Sequence, residues 1–247
     1  MLDQESRERK AAKIISLLRR QVALKGKRIL EVGAGSGLIS EHIAALPDHV
    51  ALVVATDVVN QLQTRGIVNF VQVPPEHLPF SNNSFDIVIS NHVIEHVGDL
   101  ECQRRHLAEI HRVLAPDGVL YLAVPNRWRI WEAHYRLPFL SWLPRSVANI
   151  YMQLSGRGDC YDCYPLSFRK AENLMQSSGF GSIDLRSSAI RYEAERAPMS
   201  SPARLSLRAP QWVLNVMMPI IPTHIFLAHR TRHQEVKTFA STVKTEL

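Results

Sequence analysis

The stretch Arg28 to Ser40, RILEVGAGSGLIS, constrains the fold most: a short apolar strand ending in Glu31-Val32 runs into Gly33, Gly35 and Gly37 and then into a helix. Glycines at this spacing let the backbone turn with positive φ and come close to a ligand, because no Cβ intervenes. Strand, glycine loop and helix in that order open a βαβ unit whose ligand is nucleotide-like. Charge narrows the ligand. A loop that takes a pyrophosphate offers bare backbone N–H groups at a helix N-terminus, whereas Glu31, two residues before the first glycine, would repel a diphosphate. The same carboxylate attracts a ligand carrying a positive amine.

The chain continues in the same rhythm. Residues 4–24 place Ile14, Ile15, Leu17, Leu18 and Val22 near a helical repeat among basic residues, which predicts an amphipathic helix against a sheet. A helix is expected over 37–46, a doubly buried strand over 50–56 ending at Asp57, and strands at 68–73, 85–90 and 118–124, with a helix over 103–114. Ala115-Pro116-Asp117-Gly118 marks the turn between that helix and its strand. Strand alternating with helix predicts an α/β fold, an open, doubly wound, mostly parallel seven-stranded sheet with its ligand at the strand carboxyl ends.

Two segments break the pattern. Residues 125–165, rich in Trp, Tyr, Pro and Arg, read as an insertion with short helices after the fifth strand, and 189–211 as a second irregular insertion after the sixth. Between them a helix is expected over 167–178 and a strand over 180–185, and Trp212–Ala228 reads as a helix end followed by a strand. The expected organisation is one domain over 1–247: an N-terminal helix (1–25), a ligand-binding core (26–125), the two insertions and a polar, mobile tail (232–247).

Composition fits one sizeable core: 247 residues, 46% hydrophobic. The net charge of +6 is spread out and selects no partner by itself. Three cysteines exclude a disulfide framework and favour a reducing, cytoplasmic setting. The first twenty residues carry charges where a secretory signal needs an apolar core. Trp212–Ala228, interrupted by Asn215, Pro219, Pro222 and His224, falls short of the roughly 20 apolar residues of a membrane span.

Asp57 lies about twenty residues beyond the glycine loop, where a carboxylate can accept both hydroxyls of an adenosine ribose. With it, EVGAGSG, LPFSNNSFDIVIS, IEHV and EIHRVLAPDGVLYLAVP occur in order, and from Arg28 to Pro125 the chain resembles the class I S-adenosylmethionine-dependent methyltransferases of the small-molecule type. The resemblance implies S-adenosyl-L-methionine as cofactor, with Glu31, Gly33, Ala34, Gly35 and Gly37 around its methionine end and Asp57 on its ribose. It places IEHV at the start of the helix after the fourth strand. The adenine side departs from the family: Pro74 and Pro75 replace an acidic residue and a free N–H, so adenine contacts are expected to shift to Glu76, His77 or Leu78. Asn91 is either a cofactor contact or a helix cap.

Methyl transfer from a sulfonium is an in-line displacement in which the cofactor carries the reactive group, and a hydroxyl acceptor additionally needs a base. His92 is the first candidate base. With Glu95 and His96 it falls at i, i+3 and i+4, which predicts one helical face. Quinone-pathway O-methyltransferases with a similar segment hold a divalent cation there, with a glutamate at the position of His92; Glu-His-Val is also common in members without metal, so no metal is assigned. Cys160 and Cys163 fall short of the four ligands zinc usually takes, Cys102 being elsewhere.

The segment WRIWEAHYRLPFLSWLP resembles one that follows the fifth strand in methyltransferases of cell-envelope glycan and lipid-linked sugar pathways, which implies His134, a second catalytic candidate, and Tyr135 as acceptor-site residues, the alternative being that His134 is a surface histidine in a substrate lid. Trp128, Trp131, Tyr135, Phe139 and Trp142 are expected mostly as the insertion's own core. Arg136 and Arg145 around LPFLSWLP suit a membrane interface.

The function expected is methyl transfer, most simply to oxygen, on a small-molecule or lipid-linked acceptor, in the cytoplasm or peripherally at the inner face of the membrane. A non-catalytic cofactor-binding module stays open because of Pro74 and Pro75. A nicotinamide dehydrogenase is disfavoured by Glu31 and by G-x-G-x-G in place of G-x-G-x-x-G. No Asn-Pro-Pro-Tyr or Asp-Pro-Pro-Tyr signature is present to hold a flipped base, so no nucleic acid is expected.

Overall fold

The computed structural model describes residues 4–63, 66 and 68–231; the tail expected at 232–247 lies outside the described residues. In chain order the core elements are α1 (Gln4–Arg19), β1 (Arg28–Val32), α2 (Leu38–Ala44), β2 (Leu52–Asp57), β3 (Asn69–Gln72), β4 (Phe85–Asn91), α3 (Leu100–Val113) and β5 (Leu114–Pro125). The first insertion holds β6 (Trp131–Glu132), β7 (Leu137–Pro138) and α4 (Arg145–Leu154). The chain then adds α5 (Phe168–Ser177), β8 (Phe180–Asp184), α6 (Arg186–Arg196), α7 (Gln211–Met217) and β9 (Thr223–Arg230).

Central strands β1, β2, β4 and β5 are buried on both faces, which requires helices above and below the sheet. Seven strands form one sheet in the order β3-β2-β1-β4-β5-β9-β8; β9 runs antiparallel to both neighbours and the remaining pairings are parallel. Alternation along each strand sorts the core. Ile29, Ile87 and Ile89 face α1, α2 and α6 with Ile14, Leu18, Ile43 and Ala189. Leu30, Val88 and Leu122 face α3 and α5 with Leu107, Ile110, Leu174 and Met175. The strand order turns between β1 and β4, and a crevice at their carboxyl ends is where such a sheet takes its ligand.

Four expectations change. The ladder between β4 and β5 slips after Phe85↔Leu114 and resumes at Ile87↔Val119, so Ala115-Pro116-Asp117-Gly118 is an irregularity inside β5 and not a turn before it. IEHV does not start a helix: Ile94–His96 form a single 3-10 turn, and α3 begins only at Leu100, where the Asp99 side chain accepts from the Glu101 and Cys102 N–H groups. Asn91 therefore caps no helix. The segment expected to be irregular over 189–211 contains most of α6, whose Ala189 packs on the sheet.

The fourth change concerns the first insertion. Its core is Leu137, Leu140, Ala148, Met152, Tyr161 and Cys163, with Tyr135 packed against it. Trp128, Trp131, Phe139 and Trp142 are exposed, Trp131 at 56%. A two-residue hairpin and one short helix cannot enclose rings of that size, so they gather on the outside, Trp142 meeting Trp128 and Phe139 edge to face at 5.6 and 5.2 Å.

Leu30 is fully buried where β1 meets β2 and β4. Leu30→Ala is expected to destabilise the protein by about 2–5 kcal/mol, read as a lowered denaturant midpoint at unchanged slope. A cost below about 1 kcal/mol would place β1 outside the core.

Candidate active site

β1 delivers the chain into Gly33-Ala34-Gly35-Ser36-Gly37, with φ of +69°, +54° and +75° at the three glycines. Gly33 is tightly confined: a Cβ built there would stand 2.3 Å from Cγ2 of Val93, in the segment leaving β4. The loop is tied across the strands, the Ala34 N–H donating to Thr56 O at 2.9 Å and the Gly35 N–H to Asp57 Oδ2 at 2.7 Å. Asp57 Oδ1 accepts from the Val58 N–H at 2.7 Å. A carboxylate held on its backbone partners in this way is preorganised for a diol.

Glu31 points to the α2 side of the sheet, where the Ser40 N–H and Oγ–H donate to its Oε2 at 2.9 and 2.5 Å. Burial pushes its carboxyl up to about 7, only partly offset by Ser40.

Beside this loop lies a cavity of about 410 Å³, lined by Gly33 and Asp57, by Pro74, Pro75 and Glu76 after β3, and by His92 after β4. Pro74-Pro75 thus forms part of the wall. Leu78 offers no free donor, because its N–H already donates to Glu109 Oε2 at 2.9 Å. Glu76 is exposed and 3.5 Å from the Arg105 guanidinium. Glu31, Ala34, Gly35, Gly37 and Asn91 sit in or next to the strand ends that frame the cavity without lining it.

His92 is held in left-handed backbone, φ +59°, its N–H donating to Ala123 O at 2.9 Å. No helix places His92, Glu95 and His96 on one face, because only residues 94–96 are helical. They meet all the same around the Glu95 carboxylate: Oε1 is 3.4 Å from His92 Nδ1 and 3.9 Å from His96 Nε2. Glu95 is fully buried, and neither of its oxygens has a partner in hydrogen-bond geometry. Burial pushes its carboxyl up, yet His92 and His96 together draw it below the ordinary value.

His134 does not line the cavity. Its ring stands perpendicular to that of His96 with centroids 4.8 Å apart, and burial, with His96, lowers its pKa. Cys163, which the spacing linked to Cys160, packs instead on His96, Sγ to Nδ1 at 3.7 Å, while Cys160 is exposed. Sequence reasoning missed Ser40 as the partner of Glu31, Val93 as the residue that forbids a side chain at position 33, and the buried ion pair of Arg129 with Glu132, whose Oε2 also accepts from the Tyr135 N–H at 2.7 Å. Only the acid two residues before His134 hinted at the last of these.

Residues 30–122 match a family profile described as a methyltransferase domain. Over these residues the chain is similar to a methyltransferase domain, and its fold is shared with S-adenosylmethionine-dependent methyltransferases. S-adenosylmethionine is the cofactor that goes with this domain. Among curated relatives, proteins named ubiquinone biosynthesis O-methyltransferase from Rhizobium rhizogenes and Mesorhizobium japonicum are 32% and 28% identical over 139 and 135 residues, in each case 50% of this chain and 52% of the relative. The chain thus spans about half the length of the curated relatives it matches. An S-adenosylmethionine-dependent methyltransferase from Mesorhizobium loti shares the fold at a TM-score of 0.60 and 15% identity, covering 90% of this chain and all of that one. The magnesium protoporphyrin IX methyltransferase of Synechocystis, with bound S-adenosylhomocysteine, does so at 0.53 and 15%, covering 91% and 84%.

Glu31 makes the ligand-free protein sensitive to pH. Its pKa is raised on folding, so its contribution to stability is complete below pH 4.5 and is lost as pH rises through about 7. Glu31→Gln is expected to remove a loss of order 3 kcal/mol over that window, read by denaturant unfolding at several pH values. Parallel stability profiles for the variant and the wild type would contradict it.

Proposed function

We propose that the protein transfers the methyl group of S-adenosylmethionine to a hydroxyl of a small, lipid-linked acceptor presented at a membrane surface. In this reading the chain is one methyltransferase domain whose two insertions serve the acceptor. Glu31, Gly33, Ala34, Gly35, Gly37 and Asn91 frame the methionine end of the cofactor, Asp57 takes the ribose hydroxyls, and Glu76 meets the adenine. Held there, S-adenosylmethionine would supply the methyl group for in-line displacement by the acceptor oxygen, with the carbon–sulfur electron pair staying on sulfur as S-adenosylhomocysteine. The hydroxyl proton passes to His92, and His134 belongs to the acceptor side.

The observation that carries this reading is His92 in the cavity wall with Nδ1 3.4 Å from the buried Glu95 carboxylate. A carboxylate on one ring nitrogen leaves the other free to take a proton and stabilises the imidazolium that results. Support for oxygen as the acceptor atom comes from the relatives named O-methyltransferases. Support for a membrane comes from the exposed side chains Trp128, Ile130, Trp131, Phe139 and Trp142, in a segment that also carries Arg136 and Arg145. Among the described residues no helix is long and apolar enough to cross a membrane.

The test is incubation with labelled S-adenosylmethionine and separate quinol-type phenol, lipid-linked glycan and fatty-acid pools, alongside flotation with anionic liposomes. Label is expected in a lipid-linked hydroxyl pool, and His92→Gln is expected to lower kcat about 100-fold or more with little change in cofactor affinity. Full turnover by His92→Gln would remove the base, and failure to float would remove the membrane.

A further inference from the structure

Of the group His96, His134 and Cys163, only His96 lines the cofactor cavity, and none of the three is the proposed base. The group's three ligand atoms lie within 4.8 Å of one another and come from three segments distant in sequence: the turn after β4, the β6–β7 hairpin and the approach to α5. We infer that these three side chains bind one divalent transition-metal ion of the zinc type, which fastens the insertion to the core at the wall of the cofactor cavity. The inference stands on this geometry and does not rest on methyl transfer being the activity.

Bond lengths of about 2.3 Å to sulfur and 2.0 Å to nitrogen at tetrahedral angles put a sulfur and a nitrogen ligand about 3.5 Å apart. Cys163 Sγ and His96 Nδ1 are separated by 3.7 Å. One thiolate with two imidazoles selects zinc or cobalt over magnesium or calcium, which require oxygen ligands. Three protein ligands leave a fourth position for water or a substrate oxygen.

A second, independent observation points the same way. His96 turns Nδ1 to Cys163, and its Nε2 faces Oε1 of Glu95 at 3.9 Å. A carboxylate behind a ligating imidazole is the usual outer support of a bound metal. Glu95 is fully buried with both oxygens unpartnered, a costly state for an ionised group. A dication with one thiolate carries a net single positive charge, which balances Glu95. Of the other charged or titratable neighbours of Glu95, His92 lies 3.4 Å away, His106 is buried and held toward its neutral form by that burial, Arg129 is engaged by Glu132, and Lys10 also feels the carboxylate's charge.

Binding releases one proton, because the Cys163 thiol becomes a thiolate as the sulfur–metal bond forms. Without metal the same thiol donates to Asp162 Oδ1 at 3.4 Å. The Cys160-x-x-Cys163 spacing is incidental, since Cys160 is exposed and not among the three.

The experiment titrates cobalt(II) and zinc(II) into the metal-stripped full chain, reading the thiolate-to-cobalt absorption band, the metal retained after gel filtration and the protons released. One equivalent of metal, a thiolate band and one proton per ion are expected. A variant carrying both Cys102→Ser and Cys160→Ser should keep the band at full intensity, because Cys163 is then the only thiol. Cys163→Ser and His134→Ala should lose stoichiometric retention, and Glu95→Gln should weaken binding by roughly 10–100-fold. No thiolate band in the double variant would overturn the inference even if Cys163→Ser fails to fold. Retention that survives Cys163→Ser but not His92→Gln would overturn it too, and would place the ion on His92, Glu95 and His96.

Discussion

β1 and β4 lie side by side, Leu30 against Val88 and Val32 against Ser90, and both strands release their chains at the same edge of the sheet. That adjacency brings Val93 against Gly33, so close that the glycine tolerates no side chain. It also sets the glycine loop beside His92 and the Glu95 turn, and the 410 Å³ cavity opens where the two segments diverge. Parallel pairing of doubly buried strands therefore does more than form a core. It decides which loops can share one ligand.

Three buried carboxylates are handled differently, and the differences point to different roles. Glu132 is matched by Arg129 and the Tyr135 N–H and serves to hold the insertion. Glu31 keeps Ser40 as its partner and is driven toward neutrality by burial, so a cationic ligand nearby would restore its charge. Glu95 has no aligned donor and is surrounded by His92 and His96, both within 4 Å. Polar groups left in that condition in the interior mark function more often than stability. The proposed base and the inferred metal both draw on this carboxylate, one through His92 and the other through His96.

Much of the fold was legible in the residues because short runs rich in β-branched residues, such as Leu52–Thr56 and Ile87–Ile89, suit strands covered on both faces. The glycine loop and Asp57 were legible for the same local reason, since backbone conformation and strand ends are written in short stretches. Contacts across the chain were not. His96 and Cys163 are 67 positions apart, and nothing in the spacing of Cys160 and Cys163 reveals that one is buried on a histidine and the other faces solvent. Helical periodicity also misled at His92, where positive φ rather than a helix turns the side chain toward Glu95. In the insertion, aromatic residues that ordinarily signal a core lie outside because the segment is too small to cover them.

We propose that the loop, Glu31 and Asp57 together hold an adenosine bearing an amino acid and not a dinucleotide. Calorimetric titration of the full chain with S-adenosylhomocysteine and, separately, with NADH tests it most directly. One equivalent of S-adenosylhomocysteine and no measurable NADH binding is the result expected. Tight binding of NADH with none of S-adenosylhomocysteine would show that the loop takes a dinucleotide instead.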